Sequence, residues 1–62
     1  MNKRRRWRLK AIQILIEDIM TEETEALTNT PDNIEGSEFA RARFKGNIEH
    51  LTAALEHVKE VT

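Results

Sequence analysis

The 62-residue chain has no cysteine and no tyrosine, and holds one proline, two glycines, one tryptophan and two phenylalanines. Each shortage removes a class of structure or chemistry. Without cysteine there is no disulfide, no thiolate zinc site and no thiol nucleophile. With glycine so scarce, a glycine-rich phosphate loop is excluded. No uninterrupted apolar run exceeds three residues, as at Ile14 to Ile16, far short of the roughly 20 residues that span a bilayer. The basic start is followed by neither a long apolar stretch nor a small-residue cleavage site, so a secretory signal is not expected. A cytoplasmic location fits, although a cysteine-free chain suits any compartment.

What is present points to helices. Hydrophobic residues make up 39% of the chain and charged residues 34%, a balance nearer to a solvated helical bundle than to a disordered tail. A domain this short buries only about 60% of the surface its unfolded chain exposes, so its core alone is marginal. With disulfides and thiolate metal sites gone, self-association is the remaining source of extra core. The net charge of −1 hides a strong separation along the chain. Lys3, Arg4, Arg5, Arg6, Arg8 and Lys10 put six cations and no anion into the first ten residues. Residues 17–38 carry eight acids and no base, and residues 39–62 are close to neutral.

The periodicity predicts an all-α chain of one domain, residues 1–62, with a helix over 5–27, a loop over 28–37 and a second helix over 38–61. The first helix has Leu9, Ile12, Leu15, Ile16, Ile19, Met20, Ala26 and Leu27 at steps of three and four, a stripe for burial. The second repeats the pattern with Ala40, Phe44, Ile48, Leu51, Ala54, Leu55, Val58 and Val61. Between them lie the turn formers Asn29, Pro31, Asn33 and Gly36. Pro31 biases Thr30 away from helical geometry, and Ser37 or Asp32 is placed to cap the second helix. A single short connection makes the helices antiparallel neighbours. Asn47 falls inside the second stripe, where a polar residue sets register or oligomer state. Gly46 sits in mid-helix and reads as a point of close approach.

Folding about the loop sets Glu22, Glu23 and Glu25 near Arg41 and Arg43, and Arg6 and Lys10 near Glu60 and Glu56. Opposite charges then meet at both ends. Each helix also carries a second apolar line: Trp7, Ala11 and Ile14 on the first, and Phe39, Ala42, Gly46 and Ala53 on the second. A hairpin covers one stripe per helix, so these residues are candidates for an interface between copies. The expected assembly is a homo-oligomeric helical bundle, a dimeric four-helix bundle or larger. The alternative is that they are scattered surface residues, which folded proteins commonly show.

Catalysis is not expected. His50 and His57 are seven residues apart on one helix, about 10 Å by helical rise, too far to share a metal ion. Adjacent acids such as Glu17 with Asp18, or Glu22 with Glu23, splay apart on a helix, so neither pair forms an acid–base couple. No catalytic residue, metal site or cofactor is assigned. The strongest local signal is the basic segment Lys3, Arg4, Arg5, Trp7 and Arg8. Arginine offers a planar fork to phosphate, and tryptophan a face on which a base stacks for about 1–3 kcal/mol. That chemistry suits an anionic ligand, a nucleotide or nucleic acid, or an acidic protein surface. Equally, Arg6 and Lys10 can serve the hairpin, Trp7 its core, and residues 3–5 a solubilising end. A membrane-surface role is disfavoured, because anionic lipid repels the acidic half.

The loop Asn29-Thr30-Pro31-Asp32-Asn33-Ile34-Glu35-Gly36-Ser37-Glu38, flanked by charged amphipathic helices, resembles the junction in short uncharacterised helical-hairpin proteins of bacteriophages and prophages. Their pattern is Asn-x-Pro-acid-Asn/Ser-aliphatic, then Ser-Glu a few residues later. The likeness covers about ten residues closely and the helical frame loosely. This chain departs from it in its basic, tryptophan-bearing start and in Gly46. The resemblance implies a phage accessory protein in the host cytoplasm that acts by stoichiometric binding, either occupying an anti-phage defence protein or sequestering a nucleotide signal. Two other readings stand beside it: a nucleic-acid-binding hairpin regulator, and a protein-directed inhibitor or scaffold using the acidic loop and the Phe39 face.

Overall fold

A computed structural model describes residues 1–31 and 35–62. It is an antiparallel helical hairpin: α1 spans Lys3–Thr28 and α2 spans Ser37–Glu60. The expected caps at Asp32 and the turn at Asn33 lie outside the described residues. Helix α1 starts two residues earlier than periodicity alone suggests, because Asn2 caps it. The Asn2 side chain accepts from the Arg5 backbone N–H at 2.8 Å, satisfying one of the orphan donors of the first turn.

The other end of α1 is closed by backbone and threonine hydroxyl groups. The Asn29 N–H donates to the Glu25 carbonyl at 2.9 Å, and Thr30 donates from its backbone to Leu27 and from its hydroxyl to Ala26. Arg41 reaches across from α2 to the Thr30 carbonyl at 3.3 Å. Helix α2 begins differently from the serine cap expected. Gly36 is the N-cap, with φ of 85° and no capping side chain, and Ser37 is already helical and buried. That left-handed φ explains glycine at this position.

The seam between the helices is a heptad seam. On α1 the half-buried residues Leu9, Gln13, Ile16, Met20, Glu23 and Leu27 recur at alternating steps of four and three. On α2 the matching set is Ser37, Arg41, Phe44, Ile48, Leu51, Leu55 and Val58. Such a repeat averages 3.5 residues and keeps one line against a partner helix. This corrects the expected stripe. Gln13 and Glu23 take seam positions, whereas Ile12, Leu15 and Ile19 stand 43%, 61% and 46% exposed. Among the described residues Leu55 is the one buried apolar side chain.

Two further hydrogen bonds fix the register. Asn47 donates to the Glu23 carboxylate at 3.1 Å, and Gln13 donates to the Thr62 hydroxyl at 2.8 Å. The hairpin measures 51 × 15 × 10 Å, with a radius of gyration of 14.9 Å, where a compact chain of this length has about 11 Å. Its accessible surface is 5218 Å², against roughly 4,100 Å² for a compact monomer of this mass. One copy therefore leaves unusually much of itself in water. Among the described residues no helix is long and apolar enough to cross a membrane.

Candidate basic overhang and apolar flank

The Gln13–Thr62 bond places the end of α2 level with the middle of α1. The part of α1 before Gln13, ten residues or about 15 Å of helix, runs on past the end of α2, with Leu9 half-buried on the seam line. This overhang holds Lys3, Arg4, Arg5, Trp7 and Arg8, the candidate ligand residues. The expected pairing of Arg6 and Lys10 with Glu56 and Glu60 does not occur. Glu60 instead faces His57 at 3.9 Å, a pair in which both side chains are at least three-quarters exposed. Such a pair contributes little to stability. The cause of the mismatch is register: α2 ends before it reaches most of the basic stretch.

Helical geometry splits the candidate ligand residues into two sets. Successive residues advance about 100° around the axis. Arg5 and Arg8 fall on the seam side, where with Met1, Leu9 and Ile12 they line a groove of about 240 Å³. Lys3 and Trp7 fall on the outer side, one turn apart, with Lys10 and Ala11 on the next turn; Trp7 is 73% exposed. Arg4 lies between the sets. The five residues thus do not form one pocket in a single chain. They form a cationic cylinder with an arginine groove on one side and an indole on the other.

A larger groove, about 390 Å³, lies on the other side of the seam and is lined by Glu17, Met20, Thr21, Thr24, Glu25 and Leu55. Its two carboxylates repel anions, so it does not compete for a phosphate ligand. Among the described residues no group of three or more histidines, aspartates and glutamates is placed to hold a metal ion.

The candidate interface residues occupy the two outer faces. Trp7, Ala11 and Ile14 lie on the side of α1 away from α2, with Ile14 60% exposed, and Phe39, Ala42, Gly46 and Ala53 lie on the far side of α2, with Phe39 81% exposed. The two lines point in opposite directions and do not make one continuous surface. The close approach expected at Gly46 is not made within the hairpin, since a Cβ built there meets nothing within 4 Å.

A different apolar surface is continuous. Ile12, Leu15 and Ile19 lie a quarter turn from the α1 seam. Ala54 and Val61 lie a quarter turn from the α2 seam, on the same heptad line as Asn47. The Asn47–Glu23 bond shows that these two flanks share one side of the hairpin, because Glu23 is one turn on from Ile19. Periodicity missed this flank because it counted Ile12, Leu15 and Ile19 as core. The legible signal was the uninterrupted four-three repeat through Gln13 and Glu23. No family model, curated protein or solved structure matches the chain.

Proposed function

We propose that the chain is a non-enzymatic binding protein, a helical hairpin that assembles with copies of itself and captures a phosphate-rich nucleotide ligand on its basic overhang. In the setting implied by the loop resemblance, a phage accessory protein in the host cytoplasm, such capture would counteract an anti-phage defence factor that depends on that ligand. The observation that carries this reading is the overhang itself. Six cations between Lys3 and Lys10 form no ion pair among the described residues, and Trp7 stands beside them 73% exposed. Unpaired guanidinium groups beside an exposed indole supply both parts of nucleotide recognition, charge for phosphate and a stacking face for a base. Self-assembly brings several such overhangs into one particle, and it is favoured by the surplus accessible surface of the single hairpin.

The test is calorimetric titration with mononucleotides and dinucleotides, with Trp7 fluorescence as a second readout. Nucleotide binding should weaken about a hundredfold in the Arg4→Ala/Arg5→Ala/Arg8→Ala variant, with helicity unchanged, and should fall only gently with salt. A second reading, nucleic-acid binding, is favoured by the way the cations point to every side of the overhang. It requires a steep salt dependence, with a slope near −0.9 per phosphate contacted. Host inhibition that survives loss of the three arginines would overturn both readings in favour of a protein-directed inhibitor.

A further inference from the structure

We infer that the flank of Ile12, Leu15, Ile19, Ala54 and Val61 is the site at which a second copy of this chain docks, related by a two-fold axis that sets the two α1 helices antiparallel. The inference rests on the self-assembly proposed above and adds its surface and its orientation. The contributions of the two helices overlap along the axis. The register set by Gln13–Thr62 brings Val61 level with residue 14, between Ile12 and Leu15, and counting back along α2 brings Ala54 level with residue 21, within a turn of Ile19. Together they form one patch at the open end of the hairpin, each member exposed. The opposite side of the same stretch carries Lys10, Glu17 and Thr21 on α1 and Thr52, Glu56 and Lys59 on α2. Only one side of the open end is therefore fit to be dried.

Area and charge select the occupant. The surplus surface of the hairpin over a compact monomer is about 1,100 Å², and a standard interface removes roughly 800 Å² per partner. The patch is flanked along α1 by Arg4 and Arg8 at one end and by Glu22 at the other. A second α1 laid antiparallel about a centre near Leu15 packs Ile12 and Ile19 of one copy around Leu15 of the other. The same placement sets Arg8 beside Glu22 of the second copy. The parallel alternative stacks both basic overhangs on each other and leaves both acidic turns unanswered. Antiparallel stacking also opposes the two helix dipoles, and α1 carries no acid in its first turn and no base in its last to offset its own. Docking draws Ile12 and Arg8 of the smaller groove into the contact between copies, while Lys3, Trp7 and Lys10 stay on the outer side, open to ligand.

Sedimentation equilibrium of the full chain should give at least twice the 7.2 kDa protomer mass. Leu15→Glu should weaken association at least a hundredfold, whereas Phe39→Glu should leave it unchanged. Arg8→Glu and Glu22→Arg should each weaken it about tenfold, and the double exchange should restore it. Because a hairpin freed from its partner risks unfolding, orientation is measured on the intact sequence by spin labels attached at Arg4→Cys. In the antiparallel assembly the two labels lie more than about 30 Å apart at 1.5 Å per residue; a separation near 10–15 Å overturns the orientation. An oligomer that tolerates Leu15→Glu but dissociates with Phe39→Glu overturns the docking face and leaves self-assembly standing. A folded monomer at all concentrations overturns both.

Discussion

The two ends of the hairpin are built on opposite terms. At the loop end the chain supplies its own partners: Asn29 and Thr30 close the last turn of α1, Arg41 takes the Thr30 carbonyl, and Asn47 holds Glu23. At the open end it supplies few. Asn2 caps the first turn and Gln13 ties Thr62, but the cations between Lys3 and Lys10 form no ion pair among the described residues, and Ile12, Leu15 and Val61 are 43–61% exposed. The difference shows which end leaves charge and apolar surface without partners among the described residues. In the proposals above the charge answers to a ligand and the apolar flank to a second copy.

The largest expected effect comes from erasing what both ends share. Leu55 is buried on the seam between them, and its neighbours on the larger groove include Met20 and Thr24. Leu55→Ala should cost about 2–5 kcal/mol, the range for truncating a buried leucine. In so small a domain that loss should abolish cooperative melting by circular dichroism. A melting curve that keeps its shape and shifts only slightly would mean that the seam is not the core.

Next come two substitutions that separate the ends. Gly36→Ala forces a side chain into φ of 85° at the start of α2, which should cost about 1–2 kcal/mol although there is room for the Cβ. Asn2→Ala removes the α1 cap and should cost about 1 kcal/mol. The two losses should map differently in amide hydrogen exchange. Gly36→Ala should raise exchange through the first turns of α2, whereas Asn2→Ala should raise it only in the overhang. Exchange that rises everywhere in both variants would erase the distinction between the ends.

Sequence reading reached the architecture more easily than the seam. Charge separation, a single cluster of turn formers and two amphipathic stretches were enough for two helices folded back on each other. The seam was harder, because a hydrophobicity count ranks Ile12, Leu15 and Ile19 above Gln13 and Glu23, yet the packing takes the latter. Heptad spacing decides position before polarity does, and polar seam residues at Gln13 and Glu23 are tolerated because Thr62 and Asn47 answer them. The basic segment was legible as a composition but not as a shape. Its division into an arginine groove and an outer indole needs the register of the two helices, which the Gln13–Thr62 bond sets and no local pattern announces. Likewise the expected pairing of Arg6 and Lys10 with Glu56 and Glu60 assumed helices that end level, and they do not.

The smallest expected effect is the one that separates a lone hairpin from an assembly on the outer side of α2. Gly46 lies in mid-helix, where glycine costs roughly 0.5–1 kcal/mol relative to alanine. Nothing within the chain forbids a methyl group there, since the position faces open space. In a molecule whose second copy docks on the Leu15 flank, Gly46→Ala therefore should stabilise by about that amount and leave the oligomeric mass untouched, as read by denaturant titration and sedimentation. In a molecule that also packs copies through Ala42, Gly46 and Ala53, the added methyl would hold the helices apart, and the same substitution would weaken assembly. The sign of a change below 1 kcal/mol thus reports whether the outer line of small residues meets water or another helix.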